Sequence, residues 1–237
     1  MYTVGIVAAI QTEAAHLIKS LVNPRTGRIG SLTVFRGDIG DKAVSIIISG
    51  VGRRAAQDAA EALIKEGSPD LIISTGFAGG LSPDFPRGGI IVSCDLVNES
   101  GERETFSTLD SFVTPPPGKR GVVMTSSHFV SSTRHKKELN ERLGAIAVDM
   151  ESFHVGRVAR GAGVPFLVVR VISDDLSHEL PVMGSFFTKD GRLDLGGAIL
   201  YFLRHPATCI PFVRFMVELD SHAKTLNRYL GELIVSL

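Results

Sequence analysis

Acidic residues follow three predicted strands, and they are the residues of this chain best suited to chemistry. Glu13 comes just after the first apolar run, Glu151 after the run 146–148, and Asp174 after the run 166–172. Ligands of open α/β sheets gather outside the carboxyl ends of the strands. We therefore expect these carboxylates to converge on one pocket, where carboxyl groups can serve in general acid–base catalysis.

Each of these acids also has a purely structural interpretation. Glu13 or Glu151 can stabilise the N-terminus of a helix through the helix dipole. Asp174 can cap the first turn of a helix. The structural interpretation is favoured for any one acid alone, but the presence of all three in one chain favours a functional site.

Two glycine clusters follow predicted strands. The sequence Ser-Gly-Val-Gly (49–52) opens a helix, and Gly-Phe-Ala-Gly-Gly (76–80) follows the run 71–74. Backbone amides at such turns can approach an anion or a sugar closely, although either cluster alone is more often a tight turn. The chain has neither a GxGxxG fingerprint nor a P-loop lysine, so neither motif is predicted.

Composition argues against several other functions. Lysine plus arginine equals aspartate plus glutamate, at 25 each, which gives no electrostatic footprint for nucleic acid. The seven histidines contain no HExxH pair, and Cys94 and Cys209 lie far apart. We therefore predict no metal and no cofactor. The scarcity of cysteine and the lack of a basic leader before the first strand predict a cytoplasmic protein.

The elements that must position these residues alternate between apolar runs and helical patterns. The predicted strands cover 4–9, 32–35, 44–48, 71–74, 90–94, 122–125, 146–148 and 166–172. Runs that are apolar throughout are buried on both faces. We predict an α/β fold in which residues 1–237 form a single three-layer αβα domain around a central mixed, mostly parallel sheet. The proline-rich stretch 107–119 is predicted to be an exposed loop.

A long amphipathic helix is predicted at about residues 211–235. Its apolar stripe is formed by Phe212, Met216, Leu219, Ala223, Leu226, Leu230 and Leu233. Such a stripe packs on the sheet or meets a partner or a membrane surface. Packing on the sheet is the favoured interpretation.

Five motifs together resemble those of the methylthioadenosine/S-adenosylhomocysteine nucleosidases. They are residues 4–13, 49–52, 75–81, 147–151 and 164–174, and their order and rough spacing agree with that family. The match covers about residues 2–176 and is specific for the nucleoside phosphorylase/nucleosidase superfamily. The resemblance implies a nucleoside phosphorylase-like fold, a small-molecule nucleoside as partner and a homodimer.

The resemblance also implies the roles of individual residues. Asp174 would hold or donate a proton at purine N7, Glu13 would activate a water, and Glu151 would bind the ribose hydroxyls. These groups suit the chemistry, because glycosidic cleavage passes through an oxocarbenium-like sugar and needs a protonated leaving group. The substrate-binding residues implied in the same way are Met150 beneath the sugar, Phe129 stacked on the base, Val130 through its backbone, Phe77, Ala78, Gly79 and Ser173.

Two departures from the family pattern affect the expected reaction. Phe77 replaces a small hydroxyl residue near the nucleophile, and a phenyl ring cannot hydrogen-bond phosphate. Hydrolysis is therefore favoured over phosphorolysis, although Arg36, Arg53 or Arg54 could still hold phosphate. The stretch 97–122 is short, which predicts an open side at the substrate's 5′ end and weakens the usual dimer contact.

The C-terminal part resembles the hopanoid-associated phosphorylases, which are linked to removal of adenine from adenosyl-hopane. The resemblance rests on residues 180–181, 189–194 and 204–206, and the apolar segment 198–215 could form a peripheral membrane contact. The substrate is therefore either this lipid or a soluble 5′-substituted adenosine such as methylthioadenosine or S-adenosylhomocysteine.

The sequence as a whole predicts an adenine nucleosidase with Asp174 as acid and Glu13 as base. One alternative is a phosphate-dependent purine nucleoside phosphorylase. The other, from a different class, is a nucleoside-binding protein without turnover.

Overall fold

The computed structural model describes residues 1–108, 118–177 and 209–237, with side chains from residue 216 onward in the last stretch. This part of the chain forms one mixed sheet with helices on both faces. The strands are β1 (Thr3–Ala8), β2 (Val22–Ile29), β3 (Leu32–Ile39), β4 (Lys42–Ile48), β5 (Leu71–Gly80), β6 (Ile90–Ser93), β7 (Asp95–Asn98), β8 (Arg103–Thr105), β9 (Val122–Thr125), β10 (Ala145–Asp149) and β11 (Phe166–Asp174). The helices are α1 (Gln11–Ser20), α2 (Arg53–Gly67), α3 (Thr133–Leu143), α4 (Ser152–Gly161) and α5 (Cys209–Val235).

Strand β5 is the centre of the sheet. The strand order is β2-β3-β4-β1-β5-β10-β9-β7-β8, and β11 pairs with β5 and β6. Strand β1 runs parallel to both β4 and β5, and β11 runs parallel to β5. Strand β10 runs antiparallel to the last residues of β5, where Val148 faces Gly79. The central sheet is therefore mixed and mostly parallel, as predicted.

Alternate residues of the central strands pack on opposite faces of the sheet. Leu71 and Ile73 contact the core shared with α1 and α5, whereas Ile72 contacts the core shared with α2 and α4. This alternation follows from the two-residue period of a strand. Helices therefore cover both faces, and the predicted three-layer αβα fold is confirmed.

Helix α5 starts at Cys209, two residues before the predicted start, and its stripe lies against the sheet and α1. Within its described side chains, Leu219, Ala223, Leu226, Leu230 and Leu233 are buried. In this part of the stripe the favoured interpretation, packing on the core, is confirmed. Among the helices described, none is long and apolar enough to cross a membrane. The segment 198–208 and the side chains of 209–215 lie outside the described residues.

The glycine cluster 76–80 belongs to β5 and is not a turn after it. The prediction that the strand ends near residue 74 was therefore wrong. Parallel pairing continues through Arg170–Gly76 and Ile172–Ala78, so β11 holds this glycine-rich stretch in extended form. The signal was misleading because glycine is usually depleted in strands and marks a close backbone approach when it occurs there.

Strand β2 was not predicted. Its residues are mostly exposed and polar, and it pairs only with β3 at the edge of the sheet. An edge strand facing water carries no apolar alternation by which it could be recognised. Most of the predicted loop 107–119 lies outside the described residues.

Candidate active site

The middle of β5 brings two side chains unusually close to its backbone. Gly76 has a φ of +148°, and a Cβ built there would collide with the carboxylate of Glu13 and the guanidinium of Arg170. A side chain at this position is therefore excluded both by conformation and by space. The absence of a side chain at residue 76 allows both charged groups to lie directly against the strand.

Glu13 is anchored by three backbone N–H groups. Its Oε1 accepts a hydrogen bond from Phe77 N at 2.9 Å, and its Oε2 accepts from Ala9 N at 2.8 Å and Ile10 N at 3.0 Å. The carboxylate therefore does stabilise the start of α1, as the structural interpretation proposed, but it also faces β5. Burial raises the pKa of Glu13, against the opposing effect of Arg170 and of the three N–H donors.

Glu151 reaches the same place from the opposite direction. Because β10 is antiparallel to β5, the chain after Asp149 runs back from Gly79 toward Gly76. Glu151 follows the end of a strand, as expected, although this strand runs antiparallel to the end of β5. Its Oε1 accepts a hydrogen bond from Gly52 N at 2.9 Å, at the start of α2. Burial and the neighbouring Asp149 raise the pKa of Glu151 to about 7.

Arg170 is the cation that neutralises this group of carboxylates, and its role was missed in the sequence. The fully buried guanidinium pairs with Asp149 at 2.7 Å and donates to Ser74 Oγ and Ser152 Oγ, each at 2.9 Å. Burial disfavours its charge, but Asp149, Glu151 and Glu13 together raise the pKa of Arg170 above its usual value. The available signal was an arginine within the otherwise apolar run 166–172.

Asp174 is the last residue of β11, and it lies farther along β5 than Glu13 does. It faces Gly79, and its Oδ1 accepts a hydrogen bond from Ser173 Oγ at 2.6 Å. The same hydroxyl lies 3.3 Å from the carbonyl of Ala78. Asp174 belongs to a strand, so the alternative that it caps a helix was wrong.

Lys136 pairs with Asp174, a role that was not predicted from the sequence. Its ammonium donates to Asp174 Oδ2 and lies 3.3 Å from the carbonyl of Asp175. Lys136 is completely buried on the inner face of α3, in line with Leu139 and Leu143. The signal that could have revealed it was a lysine at helical spacing from Leu139 and Leu143.

The segment after β9 carries Phe129 and Val130. Phe129 is 49% exposed, whereas Val130 is buried in the cluster that contains Val148 and Leu139. Glu99 holds the preceding turn by accepting hydrogen bonds from Ser126 Oγ at 2.7 Å and Ser127 N at 3.0 Å. An aromatic ring is thus half-exposed on a segment fixed beside β10, and Met150, after β10, is half-buried.

These contacts divide the site into two ends along β5. Glu13 and Arg170 lie against Gly76, Glu151 interacts electrostatically with both, and Asp174 and Lys136 lie against Gly79. The two glycines are three positions apart in extended strand, which corresponds to about 10 Å. The arrangement offers carboxylates with raised pKa at one end and a buried carboxylate–ammonium pair at the other.

The three arginines considered for phosphate differ in their placement. Arg36 pairs with Glu66 at 3.2 Å, near the end of α2. That end lies about 20 Å along the helix from Arg53, because each helical residue adds about 1.5 Å. Arg36 is therefore held away from the carboxylate cluster, whereas Arg53 and Arg54 are exposed at the start of α2 beside Gly52.

The fold and the site define an α/β enzyme whose candidate active site is built from buried carboxylates around one central strand. A family model described as the phosphorylase superfamily matches residues 3–117 and 107–188. The chain belongs to this superfamily.

Similar proteins include several bacterial nucleosidases. The 5'-methylthioadenosine/S-adenosylhomocysteine nucleosidase of Shewanella halifaxensis is 26% identical over 204 residues, which is 76% of this chain and 89% of the relative. The corresponding protein of Shewanella loihica is 27% identical over 215 residues, covering 80% and 94% of the two chains. These names agree with the expected N-glycosidase class of enzyme.

Solved structures share the fold. The methylthioadenosine/S-adenosylhomocysteine nucleosidase of Neisseria meningitidis, in complex with methylthio-immucillin-A, has a TM-score of 0.75 at 19% identity, with 100% of both chains covered. A futalosine hydrolase mutant of Helicobacter pylori has a TM-score of 0.72 at 19% identity, also with 100% of both chains covered.

Proposed function

We propose that this chain is an adenine nucleosidase that hydrolyses the N-glycosidic bond of a 5′-substituted adenosine. The observation that carries the proposal is a pair of interacting buried glutamates, with Glu13 at Gly76 and Glu151 near it, and a third carboxylate, Asp174, at Gly79 of the same strand. The nucleosidase names of the relatives support the same reaction class.

The proposed reaction uses both ends of the site. Glu13 takes a proton from water as the water adds to the anomeric carbon, and Glu151 binds the ribose hydroxyls. Asp174 holds or donates the proton at purine N7, so that the base leaves uncharged. The buried carboxylates also stabilise the positive charge that develops on the sugar ring.

The remaining residues would form the walls of the nucleoside site. Phe129 stacks on the base, which its half-exposed ring allows, and the Val130 backbone reads the edge of the base. Met150 lies beneath the sugar in this proposal. Phe77, Ala78, Gly79 and Ser173 line the β5–β11 side.

Hydrolysis is favoured over phosphorolysis by the contacts of Phe77 and Arg170. The amide of Phe77 already donates to Glu13, and its ring packs against the apolar core. Arg170 is engaged by Asp149, Ser74 and Ser152. If the enzyme were instead a phosphorylase, Arg53 and Arg54 would be the two of the three named arginines, Arg36, Arg53 and Arg54, that could bind phosphate.

The proposal keeps two alternatives for the 5′ substituent, a small soluble group and a hopane lipid. Methylthioadenosine and S-adenosylhomocysteine are favoured by the names of the relatives. Adenosyl-hopane rests on the looser resemblance of residues 180–206, all of which lie outside the described part of the chain. A homodimer, a peripheral membrane contact and a cytoplasmic location stay predictions.

The direct test is a substrate panel with the purified full chain. It contains methylthioadenosine, S-adenosylhomocysteine, futalosine and adenosyl-hopane in detergent, and the free base is followed by chromatography. We expect adenine to be released from at least one adenosine derivative. No base release from any member would favour a binding protein without turnover.

Two substitutions connect the activity to the proposed site. Glu13→Gln and Asp174→Asn should each lower kcat/KM by about 10²–10⁴-fold, the usual contribution of a positioned acid or base. The matched controls Glu138→Gln and Asp220→Asn change exposed carboxylates and should leave the rate unchanged. Near-normal turnover in both site variants would remove Glu13 and Asp174 from the mechanism.

A further inference from the structure

The pair formed by Lys136 and Asp174 raises a question about the origin of the proton that reaches the base. Both oxygens of the Asp174 carboxylate accept hydrogen bonds, Oδ1 from Ser173 Oγ at 2.6 Å and Oδ2 from the Lys136 ammonium. Each oxygen of Asp174 therefore has a hydrogen-bond donor beside it. Of the two donors, the ammonium is a far stronger acid than the serine hydroxyl, so it is the group suited to pass a proton to Asp174.

The ion pair lies against Gly79. A Cβ there would lie 3.2 Å from Asp174 Oδ2, which is tighter than an ordinary contact, and 3.5 Å from Lys136 Cε, which is ordinary contact. Lys136 occupies a position of α3 that aligns with the buried Leu139 and Leu143. Replacing a buried ion pair by apolar residues is often neutral or stabilising. Stability alone therefore gives little reason for a lysine here.

We propose that Lys136 supplies the proton that Asp174 transfers to the leaving base. This inference rests on the proposed nucleosidase function and adds a residue to it. Lys136 is a positioning residue, because it acts on the base only through Asp174. The motif resemblance assigned no role to this residue.

The proton and electron balance of the step is complete. Lys136 Nζ gives one proton to the Asp174 carboxylate, and Asp174 gives one proton to purine N7 as the C1′–N9 bond breaks. The electron pair of that bond goes to N9, so adenine leaves neutral and protonated at N7. Water adds its hydroxyl to C1′ and gives a proton to Glu13. Between turnovers, Glu13 releases its proton to solvent and Lys136 regains one.

The test compares two leaving groups on the same 5-substituted ribose. For adenine, Lys136→Met should lower kcat/KM by about 10²–10⁴-fold, which is the range for loss of acid assistance. For the 4-nitrophenyl glycoside, whose nitrophenolate leaves without a proton, the rate should stay within about tenfold of the unsubstituted chain. Lys137→Met, an exposed neighbour on the same helix, is the control and should leave both rates unchanged.

A double-mutant cycle protects the test against a loss of folding. The double variant Asp174→Asn, Lys136→Met removes both charges. Its loss of kcat/KM for adenine release should exceed that of Asp174→Asn alone by less than about threefold. Two results would overturn the inference. One is an equal loss of rate in Lys136→Met for adenine and for 4-nitrophenol, and the other is full additivity of the two substitutions in the cycle. An unsubstituted chain that cleaves no nucleoside would instead overturn the proposed function itself.

Discussion

At the scale of single residues, Gly76 determines whether the carboxylate cluster can exist. Alanine at this position would need a backbone conformation that side chains rarely adopt and would displace Glu13 and Arg170. The cost is of the kind produced by strain at a special backbone position, which is commonly about 1–3 kcal/mol.

Gly76→Ala should therefore lower stability by about 1–3 kcal/mol and abolish measurable nucleoside cleavage. Chemical denaturation and adenine release measure the two effects. Gly231→Ala is the matched control, because open space surrounds Gly231 in helix α5. It should be neutral or stabilising by up to about 1 kcal/mol. Normal activity in Gly76→Ala would show that the glycine is not needed for the close approach.

Glu151 should make stability depend on pH. Its pKa in the folded chain is raised from 4.5 to about 7, mainly by burial. The folded chain then binds more protons than the unfolded chain between these values, so its stability falls as pH rises through this window. The contribution is on the order of 3 kcal/mol.

Glu151→Gln tests this dependence. Urea unfolding at pH 5 and at pH 8 should show a smaller loss of stability with rising pH in the variant than in the unsubstituted chain. Asp175→Asn is the comparison, because the pKa of Asp175 is shifted in the opposite direction. Burial would raise this pKa, but hydrogen bonds from Ser177 and Arg87 and the Arg87 charge outweigh burial and lower it. A pH dependence in Glu151→Gln equal to that of the unsubstituted chain would contradict the assignment.

At the scale of elements, the turn after β9 depends on Glu99. Burial would raise the pKa of Glu99, but hydrogen bonds from Ser126 and Ser127 outweigh burial and lower it. Glu99→Ala should release the segment that carries Phe129 and raise KM about tenfold, with a smaller effect on kcat, because hydrogen bonds to a charged group contribute about 1.5–3 kcal/mol. Steady-state kinetics measure both constants. The control is Glu102→Ala, which changes an exposed residue of the same β7–β8 hairpin and should change neither KM nor kcat. An unchanged KM in Glu99→Ala would show that Glu99 does not hold the Phe129 segment.

Helix α5 is tied to α1 by a buried side chain. Asn227 Nδ2 donates to the carbonyl of Glu13 at 2.8 Å, and its Oδ1 accepts from Leu17 N at 2.7 Å. Asn227→Ala should lower stability by about 1–3 kcal/mol. Thermal melting measures the loss, and the exposed Arg228→Ala is its control. Equal melting temperatures for the two variants would show that the bridge contributes nothing.

The elements also show which parts of the fold the sequence can predict. The apolar runs at 44–48 and 166–172 revealed central strands because those strands are buried on both faces. The polar edge strand β2 gave no such signal. The antiparallel direction of β10 could not be read from its three apolar residues, because pairing direction depends on distant partners.

The candidate site was predictable to the same uneven extent. Glu13, Glu151 and Asp174 were identified because acids after apolar runs stand out. Arg170 and Lys136 were missed as functional groups, because each is a charge whose partner lies elsewhere in the sequence. Asp149 is 21 residues from Arg170, and Asp174 is 38 residues from Lys136. A buried charge is informative in a sequence, but its partner becomes visible only in the fold.

At the scale of the whole molecule, the αβα fold and the family match agree with an N-glycosidase, and the 5′ substituent of its substrate stays a prediction. Residues 178–208 include the segments that resemble the hopanoid-associated phosphorylases, so a deletion there tests whether they contribute to recognition of the 5′ substituent. Deletion of 182–206 should leave the ratio of methylthioadenosine to S-adenosylhomocysteine cleavage unchanged if the substrate is soluble. Loss of adenosyl-hopane cleavage alone would assign the segment to the lipid.

The central claim is hydrolysis of an adenine nucleoside, and product analysis tests it most directly. The best substrate of the panel is incubated with the full chain in phosphate-free buffer and again with phosphate, and the sugar product is identified by phosphorus NMR and mass spectrometry. We predict equal rates in both buffers, with adenine and the free 5-substituted ribose formed in equal amounts. Cleavage that requires phosphate and yields the ribose 1-phosphate would contradict the account.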